Sequence, residues 1–86
     1  MWTIELSKAA MKDAAKIQNS PHASKVNTLI ALLAINPFQN PPPYKRLEPP
    51  TADMYSRRIN DQHRLTYTVH KDLNVVKIRR MWTHYE

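Results

Sequence analysis

Between Tyr55 and Val69 the chain has few ways to fold. From Arg64 to His70 the side chains alternate: Leu65, Tyr67 and Val69 project to one side of an extended backbone, and Arg64, Thr66, Thr68 and His70 to the other. This predicts a strand with one face in the core and one in water. Before it, Tyr55, Arg57 and Ile59 share one parity and Ser56 and Arg58 the other. Asn60-Asp61-Gln62 separates the two runs, and Asn and Asp favour turns because they bond nearby backbone and tolerate left-handed geometry. The stretch therefore predicts a hairpin. If Ile59 and Leu65 share the core face, Arg58 and Arg64 share the open face and can converge on one anion.

The rest of the chain supplies partners for that hairpin. Trp2 to Leu6 predicts a short first strand, and Ser7 offers a helix N-cap. Lys8 to Gln18 predicts a helix with Ala10, Ala14 and Ile17 on one face and Lys8, Lys12 and Lys16 on another; these lysines form a solvated face or a contact to nucleic acid. Asn19-Ser20-Pro21 ends it. A second helix, striped by Val26, Leu29, Ile30 and Leu33, runs to about Asn36. Asn36 to Pro50 holds six of the seven prolines, so it predicts an ordered loop without sheet-ladder bonding, pinned by Phe38, Tyr44 and Leu47.

Met54–Ile59, His63–His70 and Asn74–Trp82 predict a three-stranded antiparallel meander. In its last strand Val76, Ile78 and Trp82 share a face, and Lys77, Arg79 and Met81 the other. Arg57 and Arg80 fall on the apolar side, where their stems can cover the core edge while their guanidinium groups reach water or a carboxylate. The predicted fold class is α+β: a short first strand, an antiparallel helix pair on one face of a twisted sheet, then the meander.

Eighty-six residues suffice for one domain, here 1–86. The chain contains no cysteine, which excludes a disulfide framework and thiol chemistry, and no glycine, which excludes glycine-built phosphate cradles. No stretch resembles a signal peptide or approaches the ~20 apolar residues of a membrane span, so a soluble, cytoplasmic protein with no membrane partner is expected. His22, His63 and His70 lack metal-ligand spacing, and neither metal nor cofactor is expected. By parity His63 faces the core as a hydrogen-bonded structural histidine. A formal net charge of +6 attracts nucleic acid or an acidic protein.

The run Tyr-Ser-Arg-Arg-Ile-Asn-x-x-His-Arg-Leu-x-Tyr-x-Val at Tyr55–Val69, with His84-Tyr85 near the end, resembles the YoeB/Txe toxins of the RelE superfamily. The resemblance implies a RelE-like fold and a type II toxin that enters the ribosomal A site and cuts mRNA there without metal. It also implies an acidic, partly disordered YefM-like antitoxin as partner, and a toxin–antitoxin complex that binds operator DNA.

Metal-free RNA cleavage needs a base for the 2′-hydroxyl, cations for the phosphate and an acid for the 5′-oxygen. Arg64 and Arg58 suit the phosphate, since a guanidinium presents a fork of donors. Lys77, Arg79 and Arg57 are candidate RNA contacts. The resemblance makes His84 the general acid and Tyr85 a base-stacking or phosphate-orienting group.

The base departs from the family pattern. Lys45 stands where relatives carry glutamate, and Glu48 where they often carry lysine. Glu48 replacing the base, Lys45 acting as a free amine, and a reaction without a strong base remain open. Asp53 stands where relatives generally have glycine, and Glu86 extends past His84-Tyr85. Two competing readings are a RelE-like domain that binds ribosome, RNA or antitoxin without cutting, and, more distantly, a ParE-like gyrase poison.

Overall fold

The computed structural model describes residues 1–49 and 53–83. Ser7 opens the first helix as its N-cap, its hydroxyl oxygen accepting from the Ala10 amide at 3.1 Å. The described elements are β1 (Thr3–Leu6), α1 (Lys8–Gln18), α2 (Ala23–Ile35), β2 (Tyr44–Arg46), β3 (Met54–Arg58), β4 (Arg64–His70) and β5 (Val75–Thr83). They form one five-stranded sheet of order β1-β5-β4-β3-β2, antiparallel except where β1 runs parallel to β5. The fold is α+β, and the helix pair and meander lie where the apolar pattern predicts.

One face of the sheet carries the core. Ala10 and Ile17 of α1 and Val26, Leu29 and Leu33 of α2 pack against Leu65, Tyr67, Val69, Val76, Ile78 and Met81. Leu33 and Leu65 are both fully buried, and each contributes about 1.5–3 kcal/mol of apolar transfer. Without glycine, two of the described residues take left-handed backbone: Asp53 at φ 48° and Asn74 at φ 56°. Asp and Asn tolerate that region best after glycine.

Three expectations need correction. The proline-rich segment contains a strand: between Pro43 and Pro49, Tyr44–Arg46 has free amides and pairs with β3 in the register Lys45↔Ser56. Thr66 and Thr68 are buried rather than wet. They sit on the middle strand, and the long Lys77 and Met54 side chains are the cross-strand partners of Thr68. The strict alternation expected along β5 fails after Ile78. The register there shifts by two residues, and Met81 turns inward to 1% exposure instead of joining Lys77 and Arg79.

Candidate active site

The hairpin register sets Arg58 directly across from Arg64, and Arg64 across from Thr83, so one row runs over three strands. Paired residues of a sheet share a face, so both arginines stand on the face opposite the helices. Arg58 is ion-paired with Asp61, and its Nε donates to Asn60 O at 3.4 Å. No described residue bonds the Arg64 guanidinium. That leaves a half-buried cation with its donors available to a ligand.

The turn beneath the row is tightly held. Ile59 N and Asn60 N donate to His63 O at 3.0 and 3.2 Å. Asn60 Oδ1 accepts from Gln62 N at 2.8 Å and His63 N at 2.6 Å. Its carboxamide oxygen being so engaged, Asn60 offers Nδ2 to His22 Nε2 at 2.9 Å, which makes that ring nitrogen the acceptor. His63 stacks on Trp82 with ring centroids 4.1 Å apart. The expected hydrogen bond of His63 is not formed, since its Nδ1 is buried with no partner among the described residues. Stacking holds the ring instead. His22 and its role escaped the sequence reading because the loop after α1 carries no pattern linking it to position 60.

Arg57 is the clearest correction among the candidate residues. It is 1% exposed and directed inward, so it does not stand on the open face with Arg58 and Arg64, where an RNA contact is expected. Its Nε donates to Tyr67 Oη at 3.2 Å, Nη1 to Pro42 O at 2.6 Å, and Nη2 to Pro37 O at 3.0 Å and Gln39 O at 2.9 Å. The guanidinium also lies 4.9 Å from the centre of the Tyr44 ring. Tyr67 donates in turn to Pro37 O at 2.8 Å. Burial pushes the Tyr67 hydroxyl above its usual range, although the Arg57 charge pulls the other way, so it remains a donor. Carbonyls of a proline-rich segment have no ladder partners, and Arg57 supplies them.

Lys45 lies on the same face as the arginine row, through its pairing with Ser56 and that of Ser56 with Thr66. Its Cα sits two strands, about 10 Å, across and two residues, about 7 Å, along from Arg64. Glu48 is exposed and falls after β2 and Leu47, so the sheet does not carry it. On the same face Lys77 and Arg79 line an open groove of about 230 Å³ with Glu5, His70, Leu73 and Val75. Arg79 Nε is buried there with no partner among the described residues. His84 and Tyr85 lie outside the described residues. Among those described, no group of three or more His, Cys, Asp or Glu residues is placed to hold a metal, and no helix is long and apolar enough to cross a membrane.

The family model of the YoeB-like toxin of bacterial type II toxin–antitoxin systems matches residues 7–85. The chain belongs to the YoeB toxin family. Comparison with curated proteins gave no match. Among solved structures, this YoeB-family chain is similar to a chain of a YoeB–YefM complex from Staphylococcus aureus. The two share 31% identity over 99% of both chains, with a TM-score of 0.79. A YoeB/ParE toxin from Agrobacterium tumefaciens shares the fold at TM-score 0.85 and 24% identity, over 96% of this chain and 99% of that one. A chain of the DinJ–YafQ complex from E. coli shares it at TM-score 0.81 and 21% identity, over 98% and 94%.

Proposed function

We propose that this YoeB-family toxin is a ribosome-dependent mRNA endoribonuclease working in the A site, and that its antitoxin is acidic and YefM-like. The observation that carries the reading is the cross-strand row of Arg58, Arg64 and Thr83, with His84 next in the chain. In this reading the 2′-oxygen attacks phosphorus, a P–O2′ bond forms and the P–O5′ bond breaks. Arg64 bears the added negative charge of the phosphate, helped by Arg58 once the phosphate competes with Asp61. His84 gives a proton to the departing 5′-oxygen, and Tyr85 stacks on a base.

Lys45 takes the 2′-proton, a role supported by its place on the arginine face and by Glu48 lying beyond the strand. Lys77 and Arg79 hold the RNA backbone further along the sheet. The net charge of +6 supports both the ribosomal target and an acidic partner, as do the antitoxin complexes of the similar toxins. Operator binding by the toxin–antitoxin pair and a cytoplasmic location complete the proposal.

A second reading, a toxin that binds ribosomes without cutting, is favoured by one observation: Lys45 stands where the family pattern has a carboxylate. Primer extension on an mRNA in a purified translation system decides between them. Codon-phased cuts with the wild type, lost in His84→Ala and Lys45→Ala but kept in Glu48→Ala, are the expected result. Loss in Glu48→Ala transfers the base role to Glu48, and ribosome binding without cuts establishes the second reading.

A further inference from the structure

The end of β5 is out of step with β4, and α1 holds it there. Tyr67 faces Ile78, so three residues further along an uninterrupted ladder Arg64 would face Met81; it faces Thr83 instead. Two extra residues are absorbed between those points, and a bulge leaves backbone groups without ladder partners. Helix α1 and its cap provide partners. Ser7 N donates to Ile78 O at 2.9 Å as the rung that closes the parallel Leu6–Ile78 pair, and beyond that ladder Ser7 Oγ donates to Arg79 O at 2.7 Å. Asp13 Oδ2 accepts from Met81 N at 3.0 Å and from Arg80 Nε at 2.8 Å, and Oδ1 from Arg80 Nη2 at 3.4 Å.

Asp13 is only 2% exposed, on the face α1 turns to the core beside Ala10 and Ile17. An apolar residue of similar size would spare the cost of burying a charge, and buried ion pairs are often neutral or worse than apolar packing. An apolar residue would not accept from Met81 N. The carboxylate thus does something that packing cannot: it fixes a particular backbone path.

We propose that Ser7 and Asp13 template the register of the β5 terminus, and that Asp13 is thereby a positioning residue for the cleavage proposed above. The inference rests on that reading of His84. Each ladder position is worth about 3.3 Å, so releasing the two-residue shift moves the chain that leads into His84 by about 7 Å relative to Arg64. A displacement of that size removes a proton donor from reach of the phosphate that Arg64 holds.

The test combines an NMR readout of register with the cleavage assay, using the full-length protein and the variants Asp13→Ala, Asp13→Asn, Arg80→Lys and Ser7→Ala. Asp13→Ala is expected to lose the Arg64–Thr83 cross-strand contact and the exchange protection of the Met81 amide. Its turnover should fall about 100-fold while the KM for programmed ribosomes stays within about twofold. Asp13→Asn keeps an acceptor for Met81 N and should retain the contact, with turnover within about tenfold. Arg80→Lys keeps the ion pair and should behave as wild type.

If Asp13→Ala does not fold, Ser7→Ala carries the test, with a weaker loss in the same direction. Persistence of the Arg64–Thr83 contact and of full turnover in a folded Asp13→Ala or Ser7→Ala overturns the proposal. So does a rise in KM at constant turnover, which would make α1 a docking surface. If the wild type does not cleave but Asp13→Ala still loses the contact, the cleavage reading and the catalytic role fall together, and the register clamp stands.

Discussion

Arg57 and Arg58 are neighbours in the chain and opposites in the fold. Arg57 points to the helix side, is sealed from water, and spends its donors on three backbone carbonyls and a tyrosine. Arg58 points to the open face, where its side chain keeps 63% of its surface exposed and pairs with the exposed Asp61. One cation is part of the scaffold and the other lies on the open face where the proposed function puts the RNA. The same contrast separates the two faces of the sheet: apolar packing on one, and Arg58, Arg64, Lys45, Lys77 and Arg79 on the other. Position along a strand, rather than residue type, decides what an arginine does here.

The contrast can be broken most directly through stability. Arg57→Ala strands the Pro37, Gln39 and Pro42 carbonyls and should cost about 3–5 kcal/mol by urea unfolding, whereas Arg58→Ala should cost under about 0.5 kcal/mol. Equal costs would erase the distinction. Activity should reverse the order: Arg64→Ala is expected to slow cleavage about 100- to 1000-fold with its urea midpoint nearly unchanged, as for removal of a donor to a developing oxyanion. A lost fold instead of a lost rate would move Arg64 into the scaffold.

A smaller effect appears in acid. Burial raises the Asp13 carboxyl, but hydrogen bonds from Arg80 and from the Met81 and Trp82 amides, with the Arg80 charge, together hold it below the usual 3.8. A depressed carboxyl contributes stability that is fully present above the unfolded-state value and is lost as pH falls through the folded one. Wild type should therefore lose stability below about pH 4 more steeply than Asp13→Asn, as urea midpoints across that range would show. Parallel profiles would mean that Asp13 is not ionised in the native protein. The smallest effect is at the hairpin turn. His22→Ala leaves Asn60 Nδ2 without its acceptor and should cost about 1 kcal/mol, and His22→Gln should recover part of it.

Much of this fold is readable locally. The alternation around Leu65, Tyr67 and Val69 and the stripe of Val26, Leu29 and Leu33 place the hairpin and helix α2, because each element's periodicity is written in consecutive residues. The pairing of Arg58 with Arg64 follows from parity and the short turn. Strand β2 was hidden by its prolines, since three residues with free amides are too few to show a period. Asp13 gave one faint signal, a lone acid on the apolar side of α1. His84 and Tyr85 were candidates through family resemblance alone.

The sequence by itself determined the two helices, the Arg58–Arg64 hairpin and the basic charge, all of which depend on residues close together in the chain or on simple composition. Tertiary structure alone decided that backbone carbonyls seal the Arg57 guanidinium from water and that the end of β5 is displaced by two residues. The first depends on carbonyls of Pro37 to Pro42, which happen to lie above that strand. The second depends on Asp13 reaching Met81 across 68 positions of sequence. Contacts so distant leave no period in the chain, because their partners meet only after the helices have closed over the sheet.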